Sequence, residues 1–543
     1  MLKKIIFTLL ITINVSYSQN TIGTTLISEG VADGYTFFSA FTGTYLINNC
    51  GEIINQWSSE FPPGNAVHLL ENGNILRAGR TESSDIVFGG QGGVIELFDW
   101  EGNLTWQYFY DNSTMRQHHD VFPMPNGNVL ILAVTKITNS EALQLGRNPS
   151  LLNEDILYNE QIIEVTPVGE NSAEIVWKWN IMDHVIQDFD DEKDNFGDIA
   201  LHPEKLNINF LNGGEGGANW LHFNSINYNP ILDQIIISSR NLSEFYIIDH
   251  STTTEKAATG EGGIYNKGGD FLYRWGNPQA YNQGDESDRQ LYGQHSPHFI
   301  KPGLLDENKI LLFNNGRGRL PLFSEAYIVN PETDSPGVYS YDTGSAYGPI
   351  SPDYTYGSST GALNFYSGIL SSAQRLPNGN TLICEGINGR FFEITMTEEV
   401  VWEYITPINT SNGNIISQGT NPSTYSNTSF RAQKYHIDYP AFTNRDLTPS
   451  APIELNSNIT ACENLSVSNY ETLITKVYPN PTSGSLKIIS ELTIDKIDVY
   501  NVIGKKIYTT TSNTIDLYNQ PNGIYFLQIY SDTNIISKKV AKN

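Results

Sequence analysis

The chain has 543 residues, ample for a large core and for several domains or one extended all-β unit. Only 17% of residues are charged, while Gly (46), Tyr (30), Phe (24) and Trp (8) are abundant, the turn-rich and aromatic-rich profile of β architecture. A formal net charge of −27 repels phosphate backbones and anionic bilayers and excludes nucleic acid as a partner, and three cysteines without C-x-x-C spacing exclude a disulfide-stapled mini-domain.

At the N-terminus Lys3 and Lys4 precede the apolar run from Ile5 to Val15, and Ser16-Tyr17-Ser18 sets small residues before Gln19. This is the pattern of a secretory signal peptide over residues 1–18. The run is shorter than the roughly 18 to 20 apolar residues of a spanning helix, so the mature chain is expected to carry no transmembrane segment. In an oxidising compartment Cys50 can pair with Cys462.

Residues 19–445 read as one repetitive all-β domain. Three copies of a strand, an Asn-Gly-Asn turn and a second strand are explicit: Val67 to Leu76, Val121 to Leu130, and Ala373 to Leu382. Looser copies run from Ile226 to Ile237 and from Phe299 to Phe313. Between them lie alternating hairpins that often end in tryptophan: Tyr45 to Trp57, Val94 to Trp106, Ile162 to Trp177, Phe245 to Trp275, Ala326 to Tyr341 and Phe391 to Trp402. The first of these lacks an inner hairpin, which residues 33–39 and 430–439 can supply by closing a ring. The sum predicts a six-bladed β-propeller, with five or seven blades left open by the irregular fifth outer hairpin. The tryptophans are expected in the core. Asp188, Asp190, Asp191, Asp194 and Asp198 fit no EF-hand loop and read as solvated, so no metal is expected.

Residues 446–470, rich in Thr, Ser, Asn and Pro, read as a linker. From 471 to 543 the charge changes sign, with eight lysines against six acidic residues, and short alternating runs predict a small β-sandwich. Tyr478-Pro-Asn-Pro-Thr-Ser-Gly484, Ile497 to Lys505, Asn522-Gly-Ile-Tyr-Phe526 and Lys538-Lys539 occur in order. This tail resembles the type A C-terminal sorting domain of the type IX secretion system of Bacteroidetes. The resemblance implies export by that machinery, followed by release or attachment at the cell surface.

Counting back from the inner turns puts His118, His222 and His295 in one register, so three imidazoles are expected at one mouth of the central channel. The partner strands return there with Arg80, Arg240 and the run Asn314-Asn-Gly-Arg-Gly-Arg319. Such a rim in an acidic chain suits a tetrahedral or planar anion. His119, His184, His202 and His298 read as structural or solvated.

The blocks Trp220 to Ile226, Ile237 to Ser243, Tyr273 to Asn277, Gly293-Gln-His295 and Leu312 to Gly316 carry a further likeness. They resemble the bacterial aryl-sulfate sulfotransferase family. The resemblance implies transfer of a sulfo group from an aryl sulfate to a phenol, with no cofactor, through a covalent sulfo-histidine. It matches the family's sulfo-binding histidines to His222 and His295 and its arginine to Arg319. The family nucleophile falls on Arg390 of Glu385-Gly-Ile-Asn-Gly-Arg390, and an always-protonated guanidinium cannot accept a sulfo group. His118 or His436 in its place, direct transfer, or binding alone all remain open. On this reading His222, His295, His118 and Arg319 are catalytic, and Arg240, Asn224, Asn315 and Arg390 bind substrate. The competing expectation is a non-catalytic propeller that binds an anionic glycan or a surface partner.

Overall fold

The computed structural model describes residues 20–543 apart from 83–84, 214–216, 461, 463–475, 491–492, 503–504 and 532–533. The expected signal peptide lies outside the described residues. The chain divides into two compact units, with the boundary after Cys462.

Among the described residues, the first unit is built on six antiparallel sheets in chain order, each of four strands or more. Sheet I pairs Ala432–Tyr435 with Tyr35–Ala40, Gly43–Ile47 and Ile53–Ser58. Sheet II holds Pro63–Leu69, Ile75–Arg80, Gly93–Phe98 and Leu104–Phe109. Sheet III holds Met115–Pro123, Val129–Thr138, Ile156–Val168 and Ser172–Asn180. Sheet IV holds Phe223–Asn229, Gln234–Ser239, Glu244–Asp249 and Phe271–Trp275. Sheet V holds His295–Phe299, Ile310–Asn314, Glu325–Val329 and Tyr354–Tyr356. Sheet VI holds Ser372–Arg375, Thr381–Glu385, Arg390–Ile394 and Val400–Ile405, with Gly23–Ile27 added outside as a fifth strand that the sequence pattern did not suggest.

The explicit inner hairpins form where the Asn-Gly-Asn pattern placed them. Gly73, Gly127 and Gly379 all take a left-handed φ, and each N–H donates back three residues to Leu70, Met124 and Leu376 respectively. Only glycine enters that conformation at no steric cost, which is why the motif recurs.

Side-chain hydrogen bonds from the first two strands of each sheet, or from residues flanking them, link each sheet to the next in a closed cycle. Tyr439 Oη donates to Leu69 O, His68 Nε2 contacts Val121 O, and Ile226 N donates to Asp120 Oδ2. Asn224 Nδ2 then donates to Gln294 O, Asn315 Nδ2 to Ser367 O, and Gln374 Nε2 to Lys434 O, which returns to sheet I. The outer tryptophans repeat the same principle at the rim. Trp57, Trp106, Trp177, Trp275 and Trp402 are buried, and each indole N–H donates to a group at the next sheet: Asp99 O, Ser172 O, Thr252 Oγ1, Pro349 O and Asn49 O. One residue thus fills the core between two sheets and satisfies its polar atom across the boundary.

The seam between sheets VI and I contains a fully buried ion pair, Lys434 Nζ to Glu393 Oε2 at 2.8 Å. Glu393 Oε1 also accepts from Ala32 N and Asn380 Nδ2. Most of the stretch expected to be a linker is packed on this unit rather than free. Ser450 N donates to Ile53 O, Ile453 joins the core around Phe38 and Trp402, and Cys462 is bonded to Cys50. Residues 463–470 of that stretch lie outside the described residues.

Among the described residues, the second unit has two antiparallel sheets. One holds Lys476–Tyr478, Ser485–Ile489 and Thr514–Asp516, and the other Lys506–Thr510, Lys496–Asn501, Gly523–Ser531 and Asn534–Lys542. Leu486, Ile488, Val499, Leu517, Leu527 and Val540 from both sheets share one core. Among the described residues no helix is long and apolar enough to cross a membrane.

Removing one partner of the seam pair leaves a buried charge uncompensated. Lys434→Met is expected to lower unfolding stability by about 3–5 kcal/mol, read as a lower urea midpoint.

Candidate active site

The site lies where the first strands of sheets III, IV and V begin. Each of these strands, and that of sheet II, carries a register shift, at its start in sheets II, IV and V and mid-strand in sheet III. In sheet III the pairing passes from Ile131↔Val121 to Ala133↔Gln117, so four steps on the first strand face two on its partner. Sheet II makes the same shift between Val67 and Pro63. Within or beside these irregularities Asn65, His119, His222 and Ser296 take left-handed φ values. Non-glycine residues held there are strained, and such strain concentrates at functional sites.

The shift in sheet III corrects the expected register. His118 is fully buried and turned away, while His119, expected to be structural, faces His222 with ring centroids 4.7 Å apart. His295 and Arg240 lie close enough to act electrostatically on both rings. Phe88 and Phe430 border His119, and Phe88 also meets His222. Gly90 lies directly on the His119 ring: a side chain there would collide with Nε2. A cavity of about 350 Å³ adjoins Phe430, with a mixed lining that includes Phe41, Pro63, Leu370, Arg80, Asn65 and Thr428.

Each imidazole is oriented from behind. His295 Nδ1 lies 2.7 Å from Asn315 Oδ1, and Asn315 Nδ2 donates to Ser367 O and Leu370 O. Those two carbonyls fix the amide, so Asn315 accepts from Nδ1–H and Nε2 of His295 keeps its lone pair. His222 Nδ1 lies 2.6 Å from the side-chain carboxamide of Asn219. Behind His119 stands a carboxylate-led chain. Glu160 Oε2 is 3.0 Å from His118 Nε2, and His118 Nδ1 is 2.9 Å from His119 Nδ1. The second oxygen of Glu160 accepts from Phe223 N, which ties sheet III to sheet IV.

Burial is the main cause that holds these imidazoles neutral. His295 is pushed down to about 3 by burial and then by the Arg240 guanidinium. His119 and His222 lie well below the ordinary histidine range, both by burial first, then at His119 by the neighbouring rings and Arg240, and at His222 by Arg240 and then the neighbouring rings.

The other expected residues divide. Arg240 is at the site: its N–H donates to His222 O and its charge acts on all three rings. Arg319 is committed elsewhere, paired with Glu325 at 2.7 Å, hydrogen-bonded to Phe323 O and stacked on the Phe323 ring. Its neighbour Arg317 is the exposed one, lies against Gly293 two residues before His295, and acts on His222. Asn224 and Asn315 are fully buried behind the site, the former bonding Gln294 O. Arg390 is held by Glu403 and Glu385 on the third strand of sheet VI. Burial opposes its charge, but the two carboxylates outweigh that and keep it protonated. His436 faces Asp438 near the surface. Arg317, Glu160 and Asn219 carried no sequence signal beyond the glycine-rich run around Arg317 and the doubled histidine opposite Glu160.

An all-β chain of serially repeated sheets, with histidines and arginines gathered where the first strands begin, defines the class. The family follows from comparison with known proteins: the model for arylsulfotransferase (ASST) matches residues 28–431, and the chain belongs to that family. A secretion system C-terminal sorting domain matches residues 476–543 and marks the chain for secretion or attachment at the cell surface. No curated protein matches the chain. Among solved structures, a protein of unknown function from Bacteroides caccae is 11% identical with a TM-score of 0.39, covering 74% of this chain and 99% of its own. A protein from Lactobacillus plantarum is 7% identical at 0.34, covering 74% and 100%, and a virginiamycin B lyase from Staphylococcus aureus is 9% identical at 0.27, covering 88% and 94%.

The neutral histidines make the fold acid-sensitive. The unfolded chain takes up protons near the ordinary histidine value of 6.5, whereas folded His295 does so only near 3. The unfolded state therefore binds more protons across that window, and stability falls as pH drops from 6.5 toward 3. His295→Gln is expected to flatten that fall, measured as urea midpoints at a series of pH values.

Proposed function

We propose that the chain transfers a sulfo group from an aryl sulfate to a phenol at the His119/His222/His295 cluster, with the six sheets as blades of one propeller and the C-terminal unit as a β-sandwich. The observation that carries this reading is the convergence of three neutral imidazoles beside Arg240 and Arg317 in a chain of net charge −27. Neutral imidazoles retain lone pairs that can attack sulfur or take a phenolic proton, and the guanidiniums neutralise the sulfo oxygens as charge builds on them. His222, packed against His119, hydrogen-bonds the sulfo group. The cavity beside Phe430 receives the aryl group, its ring against Phe41, Pro62, Pro63 and Phe430 and its polar side toward Arg80, Asn65 and Thr428.

The test is release of 4-nitrophenol from 4-nitrophenyl sulfate by the purified full chain, with and without a phenol acceptor. Acceptor-dependent release is expected. His222→Ala is expected to abolish it with the fold retained, and Arg317→Gln to lower kcat/KM by about 10²–10³-fold. The position of Arg390 favours one competing reading, a propeller that binds sulfated ligands without turning them over. Saturable binding of the aryl sulfate with no release would establish that reading instead.

A further inference from the structure

The three imidazoles differ in what stands behind them. Asn219 backs His222 and Asn315 backs His295, and a carboxamide neither takes up nor gives up a proton near neutral pH. His119 alone is backed by another titratable ring, which is backed in turn by a carboxylate. A carboxylate demands N–H from His118 Nε2, so in the neutral pair His118 Nδ1 is an acceptor. His119 then carries its proton on Nδ1, and Nε2 holds the lone pair with no hydrogen-bond partner among the described residues.

Resting on the sulfotransferase reading, we infer that His119 is the covalent nucleophile of this chain, standing in for the imidazole that Arg390 displaces, and that His118 and Glu160 are its positioning residues. In the first half-reaction His119 Nε2 attacks the sulfur, the N–S bond forms, and the S–O bond to the aryl group breaks with its electron pair leaving on the phenolate. The ring gains positive charge, and its Nδ1 proton passes to His118 Nδ1. The His118 imidazolium is then matched by Glu160. The phenolate takes a proton from solvent. In the second half-reaction the acceptor oxygen attacks the sulfur and the N–S bond breaks with its electron pair returning to Nε2. The acceptor's proton goes to solvent, and His118 returns the Nδ1 proton to His119. His222 and His295, backed by amides, have no group to receive that proton and serve the sulfo oxygens instead.

The backbone supports a clean test, because position 119 has a φ of +50° that glycine adopts without strain. His119→Gly therefore removes the ring while relieving the backbone. Full chain and variants are incubated with 4-nitrophenyl sulfate without acceptor, then digested and mapped for a residue heavier by one SO3 group. The inference expects the adduct on His119 in the wild type, none in His119→Gly, a loss of about 10³-fold or more in kcat, and partial rescue by added imidazole. His118→Asn is expected to slow adduct formation by about 10²-fold with KM little changed, a split that a purely structural role would not produce. An adduct on another residue, or His119→Gly turning over at more than a tenth of the wild-type rate, overturns the inference and leaves the sulfotransferase reading standing. A folded wild type that neither releases phenol nor gains the adduct overturns both.

Discussion

Return of the chain to its own beginning is the constraint on which the rest depends. Tyr35 to Phe38 pair antiparallel with Tyr435 to Ala432, so the last strand of the first unit is also the first strand of sheet I. A row of sheets left open would end in two unpaired edges and pay for association at each boundary without completing the last one. Closure removes that exposed boundary. The buried Lys434–Glu393 pair and the Cys50–Cys462 bond lie at or beside the same seam and tie segments far apart in the chain.

Closure also creates the site. Residues that begin the first strands of sheets III, IV and V are far apart in sequence, yet the cycle of hydrogen bonds between those strands brings them to one place. Arg431, immediately before the closing strand, pairs with Asp120 of sheet III at 2.7 Å, and Asp120 in turn accepts from Ile226 N of sheet IV. One carboxylate, on the residue next to His119, thus joins three sheets. Burying so many polar groups is costly, and their mutual hydrogen bonds are what make it tolerable.

The local strain has a corresponding logic. Asn65, His119, His222 and Ser296 all lie within or beside an irregularity of a first strand, and the rings of His119 and His222 meet there. Regular pleating would send alternate residues to opposite faces and leave fewer rings able to meet. Gly90 is required for the same geometry, since only a residue without Cβ fits over the His119 ring.

The sequence by itself determined the elements whose signal is local. Asn-Gly-Asn turns, period-two alternation and the tryptophan endings fixed the hairpins, because each depends on residues a few positions apart. The matching blocks around His222 and His295 and the C-terminal motif fixed the family and the sorting domain. Tertiary structure alone decided which histidines meet. Counting back from the turn at Asn126-Gly127-Asn128 chose His118, but two residues absorbed in the bulge at Val121 rotated His119 into the site and His118 behind it. It likewise decided that Arg319 is spent on Glu325 while the exposed Arg317 acts electrostatically on His222, and that Glu160, on a different strand, stands behind the pair. A bulge, an ion pair and a contact across 42 residues are settled by packing, and no periodicity in the chain records them.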